Sequence, residues 1–155
     1  MNALVEQARL IALRHELDPA KVCGLIEVES EWNPWAARYE PGFFNKYLDN
    51  SRMHLDVKGF VKAAPFAISF DTELRERAFS RGLMQIMGQV ARERGFTGPL
   101  AQLHDPETGI EYGCLQLRWL LPRVAGVYRL ALIRYNGGAD STYPDRVMAA
   151  SARYQ

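Results

Sequence analysis

Glu29 stands where a carboxylate is not expected. In Val22-Cys23-Gly24-Leu25-Ile26-Glu27-Val28-Glu29-Ser30, the residues Val22, Leu25, Ile26 and Glu29 follow the spacing i, i+3, i+4, i+7. Glu29 therefore continues an apolar helical stripe, while Glu27 and Glu31 fall off it. A carboxyl on the buried side of a helix loses hydration, which raises its pKa and keeps it protonated nearer neutrality. It also sits near the C-terminal end of its helix, where the dipole disfavours negative charge. Both effects suit a general acid. A structural glutamate bonded to backbone or to an arginine is the competing reading. Glu27 should lie about 200° round the helix from Glu29, at roughly 100° per residue, and so away from any cleft that Glu29 faces. Glu31 falls past the helix end.

Two other segments carry polar groups in ordered surroundings. In Ser80-Arg81-Gly82-Leu83-Met84-Gln85-Ile86-Met87, the spacing predicts a helix from near Gly82 to just before Gly95. Leu83, Ile86, Met87 and Val90 would form its core face. Gln85 falls off that stripe, where its amide is either an ordinary surface group or a donor and acceptor for a hydroxylated ligand. The segment Tyr135-Asn136-Gly137-Gly138 closes a helix. Tyr128, Leu132 and Tyr135 share a face there, so Tyr135 is either core or site. Asp71, Glu73 and Glu76 are acids that either cover a solvated helix face or supply a second carboxylate. There is no Gly-rich phosphate loop, no G-x-S-x-G elbow and no H-E-x-x-H. His15, His54 and His104 lie far apart without ligand spacing, so no metal and no cofactor is expected.

The elements that must position these residues are mainly helices. The chain has 155 residues, 48% of them hydrophobic and 24% charged, which fits one globular domain over 1–155. Helices are predicted over about 2–16, from the Asp18-Pro19 cap to Glu29 or Ser30, from the Asp105-Pro106 cap to about Leu121, over 127–135, and over about 143–153. The long one should bury Ile110, Cys114, Leu117 and Leu121 on one stripe. Cys23 and Cys114 read as buried free thiols. Residues 35–79 form an insert of roughly 45 residues with weak periodicity and eight Phe and Tyr residues: Tyr39, Phe43, Phe44, Tyr47, Phe60, Phe66, Phe70 and Phe79. Short helices, a hairpin near Val57–Phe70 or a lid are the forms expected, with the aromatics making a small core or lining a groove. A net charge of +1 gives no case for nucleic acid. No apolar run reaches the roughly 20 residues that span a bilayer, and the first helix does not read as a secretion signal, so no stable membrane insertion is expected.

Taken together, Glu29-Ser30-Glu31-Trp32-Asn33-Pro34, then Gly82-Leu83-Met84-Gln85, then Tyr135-Asn136-Gly137-Gly138 resemble the three ordered motifs of the lytic transglycosylase family, which is related to goose-type lysozymes. Asp105-Pro106-Glu107-Thr108-Gly109-Ile110-Glu111-Tyr112-Gly113 looks like that family's helix-opening segment. Arg38-Tyr39-Glu40-Pro41-Gly42-Phe43 and the long insert resemble a branch common in phage and prophage cell-wall enzymes. The resemblance covers about residues 20–34 and 80–150.

It implies a mainly α, lysozyme-like helical domain with a cleft for alternating amino sugars. Glu29 matches the catalytic glutamate, and Ser30, Ser80, Gln85, Tyr135 and Asn136 match positions that support the centre and hold substrate. The activity implied is cleavage of the β-1,4 bond between N-acetylmuramic acid and N-acetylglucosamine, leaving a 1,6-anhydromuramic acid end. A muramidase and a non-catalytic glycan-binding module are the alternatives. Trp32 and Gly137 depart mildly from the family, which commonly has Phe and Ala there. The partners implied are peptidoglycan glycan strands, approached as a monomer. A chain made in the cytoplasm would reach the wall after release, with a membrane-permeabilising partner, or as part of a virion.

Overall fold

The computed structural model describes residues 3–49 and 68–155. Helix α1 (Ala3–Arg14) is followed by α2 (Pro19–Ser30). Asp18 starts α2 as expected. Its Oδ1 accepts from the backbone N–H of Ala20 at 2.9 Å and of Lys21 at 3.4 Å, while Pro19 fills the first turn, where no intrahelical donor is needed. The chain then makes β1 (Ala37–Tyr39) and two short helical turns, Pro41–Phe43 and Phe44–Leu48. From residue 70 onward come α3 (Phe70–Arg77), β2 (Phe79–Arg81), β3 (Ile86–Met87) and α4 (Gly88–Glu93). A 3₁₀ turn at Leu100–His104 leads into α5 (Pro106–Leu120), which Asp105 caps through Thr108. Helices α6 (Tyr128–Tyr135) and α7 (Tyr143–Ser151) complete the order, and the last residues tighten into a 3₁₀ turn, Ala152–Tyr154.

The main core gathers α1, α2, α5, α6 and α7 around Ile11, Val22, Leu25, Ile26, Ile110, Leu117 and Leu132, each at most 2% exposed. Fully burying one such side chain is worth about 1.5–3 kcal/mol. Both cysteines are free thiols within it. Gly24 lets α2 and α7 meet closely: a Cβ there would stand 2.3 Å from Ser151 Oγ and 2.6 Å from its backbone nitrogen. The stripe predicted on α5 is present, with Ile110, Cys114 and Leu117 buried and Leu121 half-buried at the start of a 3₁₀ turn.

One predicted helix starts six residues later than expected, occupying only Gly88–Glu93. Residues 82–85 are a tight turn joining β2 to β3, and helix begins only at Gly88. The sheet is antiparallel in the order β1-β2-β3, with Ser80 opposite both Arg38 and Met87. Two left-handed residues enforce the turn, Gly82 at φ +74 and Gln85 at φ +45. The first leaves room for nothing but glycine, since a Cβ would stand 2.0 Å from Leu103 O. Leu83 and Met84 reach the core from this turn, which is why the apolar spacing imitates a helix.

The insert splits the earlier alternatives. Tyr39, Phe43, Phe44 and Phe70 pack on Leu48, Leu74 and Ala78 as a small separate core, while Tyr47 is exposed. Phe60, Phe66 and most of the hairpin expected near Val57–Phe70 lie outside the described residues. The acids of α3 correct the picture of a uniformly solvated face. Asp71 is exposed and pairs with Arg75 at 3.0 Å, but Glu73 is wholly buried between two guanidiniums. Arg77 Nε and Arg92 Nε each reach its Oε1 at 2.8 Å, and Arg92 also donates to Oε2 at 3.0 Å. This buried ion pair ties the insert to α4 and to the following loop, where Arg92 donates to the carbonyls of Phe96 and Gly98.

Candidate active site

Glu29 is the penultimate residue of α2 and half-buried. Its helix ends abruptly because Glu31 (φ 51) and Trp32 (φ 63) are both left-handed. That conformation is costly for a bulky residue and persists only where the surroundings hold it. The C-terminal turn supplies the hold: Trp32 Nε1 donates to Tyr154 Oη at 2.8 Å, and Tyr154 Oη donates to Glu27 Oε2 at 2.6 Å. Glu27, which also pairs with Arg153, thus points away from Glu29 as the helical geometry required. Glu31 is exposed.

The hydroxyl of Tyr143, at the start of α7, donates to Glu29 Oε1. Burial pushes the Glu29 carboxyl above its usual range; the Tyr143 hydrogen bond and the charges of Arg38 and Arg146 oppose that shift without cancelling it. Burial and the neighbouring Glu29 charge raise the Tyr143 and Tyr135 phenols as well, so both remain protonated donors wherever Glu29 titrates. With Oε1 occupied by Tyr143, Oε2 is the oxygen left to carry a transferable proton. Arg146 lies one turn along α7 from Tyr143 and is bonded to Asp140 at 2.6 Å; Arg38 projects from β1 and pairs with Glu40 at 2.5 Å.

Three residues singled out as substrate contacts converge on one stretch of backbone. Ser30 Oγ is buried and donates to Leu83 O at 2.8 Å, with Ile26 O at 3.1 Å. Tyr135 Oη donates to Met84 O at 2.8 Å. Gln85 Nε2 donates to Ala36 O at 2.9 Å and Gly82 O at 3.0 Å. Each carbonyl of Gly82, Leu83 and Met84 is thereby taken, and the 82–85 turn is fixed against the end of α2. Ser80 is buried on β2, behind the turn, and Asn136 is half-buried at the C-cap of α6. Of these side chains, Ser80, the Gln85 carbonyl end and Asn136 keep polar atoms that no described hydrogen bond uses.

Tyr143, Arg146 and Arg38 were not identified from the sequence. The signal for Tyr143 was its spacing with Val147 and Ala150 at i, i+4, i+7 on the last helix, which makes it core with a polar tip. The arginines carry no such signal, because their place depends on how α7 and β1 meet α2.

The domain is mainly helical, and at the end of α2 the half-buried Glu29 carboxyl accepts from Tyr143 while the next residue, Ser30, bonds the 82–85 turn. The chain belongs to the transglycosylase SLT domain family, whose model matches residues 7–148. Its fold is accordingly the lysozyme-like helical one, and its activity is that of a lytic transglycosylase directed at peptidoglycan. No curated protein and no solved structure matches the chain.

Proposed function

We propose that Glu29 alone serves as acid and then base in cleaving the β-1,4 bond between N-acetylmuramic acid and N-acetylglucosamine. The protonated carboxyl gives its Oε2 proton to the glycosidic oxygen as the bond to the anomeric carbon breaks. The resulting carboxylate, still bonded to Tyr143 through Oε1, then takes the proton of the C6 hydroxyl of the same muramic acid residue. That oxygen attacks the anomeric carbon. The leaving sugar gains the proton Glu29 lost, Glu29 regains one from the C6 hydroxyl, and the product carries a 1,6-anhydro ring with no water consumed. Attack from within the sugar gains from proximity what a separately positioned water would have to supply. The substrate's own N-acetyl group stabilises the cationic intermediate.

The observation that carries this reading is the company Glu29 keeps. Among the described residues, the groups that shift its pKa are a tyrosine and two arginines, with no carboxylate among them. Two-carboxylate glycosidases need the partner within about 5–9.5 Å. The three acids of α3 that could have filled the role are each held by an arginine: Asp71 by Arg75, Glu73 by Arg77 and Arg92, Glu76 by Arg81 at 2.8 Å. The reading is tested by digesting purified sacculi and treating the released fragments with borohydride. Ends that resist reduction support it. Reducible muramic acid ends would instead indicate attack by water, and Asp140, bridged to the Glu29 surroundings by Arg146, is then the carboxylate to substitute.

A further inference from the structure

Trp35 is the most exposed large apolar side chain among the described residues, at 75%. Its backbone N–H donates to Asn33 Oδ1 at 3.0 Å, and its indole lies against the His104 ring, centroids 5.8 Å apart and planes 32° apart. Around it is a depression of about 590 Å³ walled by Pro34, Pro99 and Pro106, with Gln102 and His104 supplying polar edges. That volume falls within the range of small-molecule sites, roughly 300–1,000 Å³. Prolines make rigid apolar walls without N–H groups to satisfy. His104 Nδ1 lies 3.0 Å from Pro34 O, and since a carbonyl only accepts, Nδ1 carries a proton and Nε2 is the ring nitrogen left to meet a ligand.

We propose that this depression is a saccharide platform that binds a neutral pyranose face of the glycan strand, with Trp35 as its stacking surface. A chair-form amino sugar presents a flat face of C–H groups and a rim of hydroxyls and amide, which matches a flat indole edged by an amide and an imidazole. The charge of the lining selects the sugar over the acidic stem peptide. No lysine or arginine lines the depression, and the Asp105 carboxylate at its edge is engaged by the backbone N–H and the hydroxyl of Thr108 at 2.9 and 2.8 Å. Trp35 is also one residue from the contact that anchors the 82–85 turn. The residue after Trp35 is Ala36, whose carbonyl accepts both from Gln85 Nε2 and from the Gly82 N–H, each at 2.9 Å.

The proposal rests on peptidoglycan being the substrate, and the test separates the two claims. Full-length E29Q, E29Q/W35A and E29Q/W35F are titrated against purified sacculi and, separately, against soluble β-1,4-linked N-acetylglucosamine oligomers. Release of fragments from sacculi by the wild-type chain is measured alongside. W35A should bind both ligands about tenfold more weakly, the equivalent of about 1.4 kcal/mol for a truncated aromatic anchor, and W35F should recover most of the loss. Equal binding by E29Q and E29Q/W35A, while the wild type releases fragments, overturns the platform and leaves the activity standing. Trp35-dependent binding without any release supports the platform and sinks the catalytic reading. Sedimentation showing a dimer that W35A dissolves would assign the face to a second copy of the chain and overturn the proposal.

Discussion

At Glu29 the burial that makes the carboxyl a usable acid also makes it a cost to the fold. Its folded pKa lies above the unfolded one, so between the two values the native state binds the extra proton and stability falls as pH rises. Below the unfolded pKa the contribution is fully present; above the folded pKa it is lost. Glu29→Gln cannot ionise, so it should lose turnover by roughly 10²–10⁴-fold while melting no lower than the wild type at alkaline pH, with the relative advantage shrinking on acidification. Sacculus release and thermal melts across pH check both halves, and turnover within a few-fold of wild type would remove Glu29 from the chemistry. Tyr143→Phe removes a hydrogen bond that lowers the Glu29 pKa. The pH–rate profile should then extend to higher pH on its alkaline limb while the maximum rate falls, because the carboxylate formed after the first step loses its donor. An unmoved limb would deny that the tyrosine acts on the carboxyl. At this scale the sequence was informative for Glu29, because a carboxylate interrupts an otherwise apolar 3.6-residue stripe. It was silent on Tyr143, because a tyrosine on such a stripe reads as core.

Among the elements, the 82–85 turn is where local pattern and tertiary structure part. Leu83, Ile86, Met87 and Val90 satisfy a helical period, yet three backbone carbonyls are drawn to Gln85, Ser30 and Tyr135, two of those partners lying more than fifty residues away along the chain. Such long-range bonds leave no mark on a window of eleven residues. Only Gly82 hinted at the turn. Ser30→Ala and Tyr135→Phe should each cost about 0.5–1.5 kcal/mol in stability but lower turnover by more than the melt explains, since the turn beside Glu29 loosens before the domain unfolds. Urea denaturation read together with sacculus release separates the two effects. The Glu73 cluster was likewise hidden. Its i, i+4 partner Arg77 resembles an ordinary surface pair, and the second guanidinium comes from Arg92 of α4, nineteen residues on. Glu73→Ala should destabilise by about 3–5 kcal/mol, because it removes the buried carboxylate that Arg77 and Arg92 share. A loss below about 1 kcal/mol would mean water reaches the cluster.

For the molecule as a whole, the helical architecture was readable from caps and periodicity. Asp18-Pro19 and Asp105-Pro106 marked helix starts to the residue, and the core stripes of α2 and α5 followed from spacing alone. The small sheet was not readable, because strands of two and three residues carry no usable alternation. The three ordered motifs are brought together by that sheet and by α6, in an arrangement that leaves one carboxyl in reach of a tyrosine donor and two arginines. The account therefore makes its sharpest demand on the nucleophile. Sacculi digested in water enriched in heavy oxygen, with the released muropeptides weighed by mass spectrometry, report it directly. The account predicts muramic acid ends one water lighter than hydrolysed ones and free of heavy oxygen. Ends carrying one heavy oxygen at the anomeric position would contradict it, since the attacking oxygen would then have come from solvent and not from the sugar's own C6 hydroxyl.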